Sequence, residues 1–147
     1  MQVLIYPVDL NPVCRFRAPF NKKGDDKPKK SPEEKPFEIE SDFEEAILCR
    51  QCHQVLTHAA ERISIQGSHR HTFANPHGLV FEIGCFQNAP GCGVIGPASD
   101  EFTWFPGHRW RVCVCAACLA HLGWLFTAPG GGAFHGLILD RLIEPSP

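Results

Sequence analysis

The chain has 147 residues, which is enough for one domain and few for two of ordinary size. Its 14 Lys and Arg residues and 16 Asp and Glu residues give a formal charge of −2, which argues against a nucleic-acid-binding protein with a basic face. No apolar run approaches the roughly 18 residues that a membrane helix needs. Pro7 and Asp9 interrupt the first apolar run, so no secretory signal is recognised, and we expect a cytoplasmic protein without membrane contact.

The first third of the chain differs in composition from the rest. The run NKKGDDKPKKSPEEKPFEIESDFEE at 21–45 carries half of the charged residues of the chain and few apolar side chains. Such a segment cannot bury enough apolar surface to offset its ordering entropy. We therefore predict an N-terminal extension with a charged, flexible arm at 1–46, a single folded domain at 47–143 and a short tail at 144–147.

Four of the eight cysteines form two CxxC pairs, CRQC (Cys49, Cys52) and CAAC (Cys115, Cys118). In a reducing compartment such pairs indicate metal binding more often than disulfides. Two pairs complete a tetrahedral shell of thiolates, and a closed shell is typical of a structural zinc ion. Because 62 residues separate the pairs, one ion would tie the start of the domain to a point near its end.

Other metal ligands remain open from the spacing alone. Cys113 precedes Cys115 in CVCAAC and offers a CxC alternative, and either His53 or His121 is a possible replacement for one sulfur. The cysteines outside the two pairs are expected to be small, buried, apolar side chains. They are Cys14, Cys85, Cys92 and Cys113.

Between the two pairs, and after them, the pattern favours short β-strands separated by turns, without a sustained helical period. The predicted class is therefore all-β and antiparallel. The predicted elements are HTF (71–73), the turn NPHG (75–78), a strand LVFEIGCF (79–86), a loop with at most one short strand (88–101), two strands joined by a Phe-Pro-Gly turn (102–115), a strand or bend (119–128), a glycine turn (128–134) and a closing strand (135–144).

The three tryptophans, Trp104, Trp110 and Trp124, fall within 21 residues. Large aromatic side chains usually form the core of a small domain. Here, however, Trp104 and Trp110 flank a Phe-Pro-Gly turn, and Trp124 follows the second cysteine pair closely. Three indoles that converge at a loop end would form a shallow box for a flat ring or a cation.

The run CRQC…NPHG…IGPASDEFTWFPGHRW…CAACLAHLGWLF…FHGLILDRL resembles the CULT domain, the thalidomide-binding domain of the cereblon family. It is most similar to the single-domain bacterial members, over residues 47–143. The resemblance implies a β-tent, in which two antiparallel sheets stand roughly perpendicular and one structural zinc ion lies remote from the ligand. It does not extend to residues 1–46, which offer no counterpart of the domain that docks cereblon onto a ubiquitin ligase.

The resemblance also implies an aromatic cage for glutarimide-type cyclic imides such as thalidomide. In that cage the three tryptophans surround the ring, and backbone groups of Phe102 and Trp104 bond the imide. Phe126 closes the floor and Asn75 lies at the rim. Animal members carry histidine where this chain has Phe102, so only the backbone contact carries over. Uracil-like rings such as uridine, and peptides that end in a cyclic imide, are the other ligands expected. The physiological ligand and the oligomeric state are not predicted.

An enzyme is the main alternative, because methionine-sulfoxide reductase B has a similar zinc-containing architecture. Such a reductase needs an activated thiolate at its aromatic pocket. No cysteine follows Cys118, and the closing segment offers only Phe134, His135 and Gly136 where that thiol would be needed. Cys85 and Cys92 remain as candidates, and we expect a protein that is not an enzyme.

Overall fold

A computed structural model describes residues 45–146 of the chain. Residues 1–44 of the predicted extension, including Cys14, lie outside this range, and the domain boundaries stay predictions. The described residues form nine β-strands and two short 3₁₀-helices, with no α-helix among them. In chain order these are β1 (Ala46–Cys49), β2 (Val55–His58), a 3₁₀-helix (Ala59–Glu61), β3 (Arg70–Ala74), β4 (Val80–Phe86), β5 (Cys92–Ser99), β6 (Arg109–Cys115), β7 (His121–Thr127), β8 (Ala133–Ile138), a second 3₁₀-helix (Leu139–Arg141) and β9 (Leu142–Ile143).

The strands form two antiparallel sheets. The small sheet has the order β2-β1-β9, and the large sheet has the order β3-β4-β8-β7-β6-β5. Every neighbouring pair runs antiparallel. The predicted all-β class with two antiparallel sheets is therefore confirmed. No helix within residues 45–146 is long and apolar enough to cross a bilayer.

Two buried clusters hold the domain together. The first joins the small sheet to the large one and contains Ile47, Leu56 and Phe86 together with the metal-site residues Cys49 and Cys115. The second consists of side chains from β4, β7 and β8 of the large sheet together with Phe105. All are fully or almost fully buried: Ile83, Cys85, Phe105, Phe126, Phe134 and Ile138. The three tryptophans pack against this second cluster and are only partly buried, so they are not the core itself.

The segment at 88–101, which was predicted to be mainly loop, contains the eight-residue strand β5. Its glycines and its proline are typical of a loop, so the sequence does not indicate a strand here. The strand lies at the edge of the sheet, where Pro97 needs no ladder partner. The pairing with β6 is interrupted between Ile95 and Ser99. There, the guanidinium of Arg111 donates to the carbonyl of Gly96 at 2.8 Å and that of Arg109 to the carbonyl of Ala98 at 3.0 Å. Side chains thus replace the missing ladder bonds.

The strand predicted before the Phe-Pro-Gly turn, at 102–104, is wrong, because residues 100–108 contain no strand. Phe102 has a φ of +53° and Gly107 a φ of +81°, and neither value belongs to an extended strand. Phe105 turns inward and is completely buried. Burial of this ring, which edge-contacts Phe126 and Phe134 at 4.8 and 5.0 Å, outweighs the β-propensity of the aromatic run.

The closing strand predicted at 135–144 is divided into two strands that belong to different sheets. β8 pairs with β7 and β4 in the large sheet, and β9 pairs with β1 in the small one. The 3₁₀-helix Leu139–Arg141 makes the change of direction between them. One continuous strand could not serve both sheets, so the chain must bend at this point.

Candidate functional site

Two turns of the same design present the paired cysteines. In the first, the backbone N–H of His53 donates to the carbonyl of Cys49 at 2.8 Å, and in the second that of Leu119 donates to the carbonyl of Cys115 at 2.9 Å. His53 and Leu119 occupy equivalent positions and have φ values of +62° and +63°. A residue in this left-handed conformation turns the chain back sharply, so both sulfurs of a CxxC pair face the same point.

The four sulfur atoms converge on one point. The Sγ atoms of Cys49 and Cys118 lie 3.7 Å apart, those of Cys52 and Cys115 lie 3.6 Å apart, and all four lie within 4.8 Å of one another. Bonds of about 2.3 Å in a tetrahedron around zinc place the sulfurs about 3.8 Å apart, so the group fits one metal ion. Cys49 and Cys115 are buried, which fixes half of the site to the core.

The alternative ligands take no part in this group. The four-residue cluster contains neither Cys113 nor His53 nor His121. Cys113 lies on β6 opposite Val94 and is buried in the sheet. The CxC alternative fails because the Cys113 thiol is hydrogen-bonded to Cys92 and lies outside the group of four sulfurs.

A cavity of about 200 Å³ opens to solvent near Trp110, at the other end of β6 from Cys115. All six residues predicted to bind a ligand line it, together with two that the sequence analysis missed. The lining residues are Asn75, Pro76, Glu101, Phe102, Trp104, Trp110, Trp124 and Phe126. Pro76 and Glu101 each adjoin a predicted residue in the sequence, and that adjacency was the available signal for them.

Hydrogen bonds hold two of the three indoles in place. The indole N–H of Trp104 donates to the carbonyl of Ala74 at 3.1 Å, and that of Trp110 donates to the carbonyl of Glu101 at 2.8 Å. The rings of Trp104 and Trp124 stand at 74° with centroids 4.7 Å apart. The rings of Trp104 and Trp124 therefore form a corner of the cavity wall.

A second layer of aromatic rings supports this corner from behind. Phe73 on β3 stacks on Trp104 at 5.0 Å with an interplanar angle of 14°. Phe81 on β4 and His121 on β7 make edge contacts with Trp124 at 5.3 and 5.0 Å. Phe73 and Phe81 are paired in the β3–β4 register, so a single hairpin supplies both supports around the turn that carries Asn75.

Phe126 forms the floor of the cavity and is only 1% exposed. Gly136 on the neighbouring strand lies directly against this ring: a Cβ there would come within 2.9 Å of Phe126 Cε2. Gly123, just before Trp124, has a φ of +151°, and a Cβ there would meet the carbonyl oxygen of Gly136 at 2.0 Å. The two glycines therefore let β7 and β8 approach closely enough to seat Phe126 and Trp124.

Asn75 shapes the rim through its own turn. Its side-chain Oδ1 accepts hydrogen bonds from the backbone N–H groups of His77 at 3.0 Å and Leu79 at 2.9 Å. Gly78, with a φ of +81°, completes the turn. An asparagine that caps its own loop in this way is a common turn device, and here it keeps Pro76 against the cavity.

Backbone groups at the mouth of the cavity are free to bond a ligand. Phe102 has a φ of +53°, an uncommon conformation for a bulky residue, and its side chain is 74% exposed. Within residues 45–146, neither the carbonyl of Phe102 nor the backbone N–H of Trp104 makes a hydrogen bond to another protein group. Strained backbone of this kind is concentrated at functional sites.

The two cysteines considered for reductase chemistry are not at this cavity. Neither Cys85 nor Cys92 belongs to its lining. Burial raises the pKa of the Cys85 thiol to about 11, so almost none of it is thiolate at neutral pH. A hydrogen bond with Cys113, together with burial, raises the pKa of Cys92. A nucleophilic thiol requires the opposite shift, toward a lower pKa.

No known protein-family model matches the chain. The chain is similar to curated proteins named protein cereblon: it is 33% identical to that of Drosophila erecta over 95 residues and 33% identical to that of Danio rerio over 109 residues. These alignments cover 61% and 69% of this chain, but only 16% and 25% of the relatives. The protein cereblon of Gallus gallus is 33% identical over 108 residues, which are 69% of this chain and 24% of the relative. The chain thus spans about a quarter or less of the length of the relatives it matches, and within that span it contains a domain of the cereblon family.

Proposed function

We propose that this domain binds small cyclic imides in the tryptophan-lined cavity and catalyses no reaction on them. The observation that carries the proposal is the convergence of three half-buried indoles from a loop and two strands on one cavity floored by Phe126. The likeness to the cereblon family, whose CULT domain binds thalidomide, supports the choice of an imide.

The size of the cavity favours a ring of the glutarimide type. The cavity volume is about 200 Å³. Pockets for drug-sized ligands are larger, about 300–1,000 Å³. A single flat ring therefore fits, and a substituent such as the phthalimide group of thalidomide would extend outward past Phe102 and Pro76.

The hydrogen-bonding pattern of an imide matches the backbone at the mouth of the cavity. An imide carries one N–H donor between two carbonyl acceptors. The free carbonyl of Phe102 would accept from the imide N–H, and the free backbone N–H of Trp104 would donate to a ring carbonyl. Because buried polar groups without a partner cost about 1–3 kcal/mol each, a ring that lacks this pattern should bind less well.

We propose further that the four cysteines hold one structural zinc ion. Four thiolates form a donor set typical of zinc, and the sulfur separations of 3.6 and 3.7 Å suit its tetrahedral geometry. The ion would link β1 to the turn after β6 and thereby contribute to folding. It leaves no ligand position open, so we assign it no part in binding the imide.

The experiment is a titration of the metal-loaded protein with glutarimide, followed by tryptophan emission. All three tryptophans line the cavity, so a bound ring should change most of the emission. Trp110→Ala should abolish the saturable change, whereas Ile95→Ala, at a residue 52% exposed on the edge strand, should leave it unaltered. Both variants are first compared with the parent by circular dichroism.

N-Methylglutarimide is the matched ligand control, because it has the same ring without the N–H donor. If the imide N–H bonds the carbonyl of Phe102, the methylated ring should bind about 5-fold to 150-fold more weakly. Equal affinity for both rings would disprove the proposed hydrogen bond. A flat glutarimide titration in folded, metal-loaded protein would refute the function. Uridine and short peptides that end in a cyclic imide, tested in the same way, would then define the natural ligand class.

A further inference from the structure

We propose that the same cavity binds a second chemical class, N-methylated ammonium groups, with Glu101 supplying the counter-charge. This inference rests on the cavity of the proposed function but does not depend on imide binding. Of the eight lining residues one is charged, and it is the acidic residue Glu101; none is basic.

Glu101 forms no ion pair with another residue of the 45–146 range. Among the described residues the ion pairs join Arg62 and Arg70 to Glu144 and Arg70 to Glu82, and none includes Glu101. Neither of the arginines on either side of Trp110 forms an ion pair with Glu101. The guanidiniums of Arg109 and Arg111 donate to carbonyls of the edge strand, at Ala98 and Gly96.

The aromatic walls add to this negative field. The face of an aromatic ring is the negative side of its quadrupole, and a cation within about 6 Å of the ring centroid is attracted to it, most strongly by tryptophan. Trp104 and Trp124 form a corner at 74°, and Trp110 lines the same cavity. The carbonyl of Glu101 also anchors the indole of Trp110 at 2.8 Å, so the acidic residue and this wall are held together.

These features select a methylated ammonium over other cations. A primary ammonium is strongly hydrated and has N–H donors that need acceptors, whereas the lining is mainly apolar and aromatic. Methylation removes those donors and covers the charge with apolar groups that can contact the indole faces. The compact head group of choline or of a trimethylated lysine side chain would be small enough for a cavity of about 200 Å³.

The test compares choline with its neutral isostere 3,3-dimethylbutan-1-ol at constant ionic strength, again by tryptophan emission. We expect saturable choline binding in the millimolar range and markedly weaker binding of the isostere. Added sodium chloride should weaken choline binding but not glutarimide binding, because it screens exposed charges. Choline should also raise the apparent dissociation constant of glutarimide, since both occupy one cavity.

Glu101→Gln tests the counter-charge. It should weaken choline binding about 2-fold to 5-fold more than it weakens glutarimide binding, as for the loss of an exposed charge pair. Glu82→Gln, which removes a carboxylate outside the cavity wall, is the matched control and should affect neither ligand. Equal weakening of both ligands by Glu101→Gln would overturn the role of its charge.

The two proposals fail in different ways. Protein that binds glutarimide but gives no response to choline would overturn the cation proposal and leave the imide proposal standing. Protein that binds choline but not glutarimide would support the cation proposal and refute the imide one. Choline binding no tighter than that of the isostere would also overturn the cation proposal, because the charge would then contribute nothing.

Discussion

Gly136→Ala is expected to damage both the stability of the domain and the shape of its cavity. Gly136 lies on β8 beneath the cavity floor, and an added Cβ would lie 2.9 Å from Phe126 Cε2 and 2.9 Å from Ile83 Cδ1. The φ of Gly136 is not positive, so alanine introduces no backbone strain and the effect is purely steric. The new methyl group has to displace one or both neighbours.

The magnitude follows from the contact distances. Carbon atoms pack best at about 3.5–4.0 Å, so 2.9 Å leaves a shortfall of about 0.6–1.1 Å. Overpacking of this kind costs about 1–3 kcal/mol of unfolding free energy. For a domain of this size each kcal/mol lowers the melting temperature by about 4–8 °C, so we expect a fall of about 5–20 °C. Phe126 is the floor of the cavity, so glutarimide should also bind more weakly.

Melting temperature is measured by circular dichroism on metal-loaded protein, with the emission titration on the same samples. Gly93→Ala is the matched control: its Cβ would meet Val114 Cγ2 at an ordinary 3.7 Å, and its melting temperature should be nearly unchanged. Ile83→Val removes one clashing atom, so it should destabilise the Gly136→Ala background less than the wild type. An unchanged melting temperature and glutarimide affinity in Gly136→Ala would refute the close packing of the floor.

Three further predictions concern the cysteines and one histidine. The parent protein should contain one metal ion per chain by elemental analysis and Cys52→Ser should lose it, whereas Cys85→Ser should retain it; retention of the ion by Cys52→Ser would contradict the four-cysteine site. Burial raises the pKa of Cys85 to about 11, so its alkylation by iodoacetamide at pH 8 should be slow in the native protein, and rapid native labelling would be inconsistent with that burial. Burial lowers the pKa of His135 below 6.5 in the folded protein. Below about pH 6.5 the unfolded chain therefore binds more protons than the folded protein does. The unfolding free energy should consequently fall as the pH drops from about 6.5 toward the folded-state pKa. His135→Gln should flatten this part of the pH profile in chemical denaturation, and an identical slope would show that another group titrates.

The four-cysteine cluster was predictable from the sequence because the geometry of each CxxC turn is local. In each CxxC pair the chain turns within five residues, and the same backbone hydrogen bond closes both turns, at His53 and at Leu119. What remained open was whether Cys113 or Cys118 joins Cys115, and whether His53 or His121 replaces one sulfur. The tertiary structure brings Cys118 to the other three sulfurs, whereas Cys113 lies buried in β6 opposite Val94.

The cavity residues were predicted mainly through family resemblance. Composition and spacing alone left open whether the tryptophans form the core or a box. In the structure residues 102–105 are not an extended strand. Phe105 is completely buried, whereas its neighbour Trp104 is only partly buried. No local sequence pattern shows which of these two aromatic rings is buried. Phe105 is held by edge contacts with Phe126 and Phe134, which lie more than 20 residues away in the sequence.

By itself, the sequence determined the all-β class, the strand at 80–86, the turn that follows Asn75 and the two cysteine turns. These depend on residues close together in the chain. Only the tertiary structure decided that a segment rich in glycine and proline forms β5, that the last segment divides between two sheets, and that Pro76 and Glu101 join the cavity wall. The physical reason is the same for each: strand pairing and side-chain packing join residues that are distant in the sequence, and they outweigh local propensity where the two disagree.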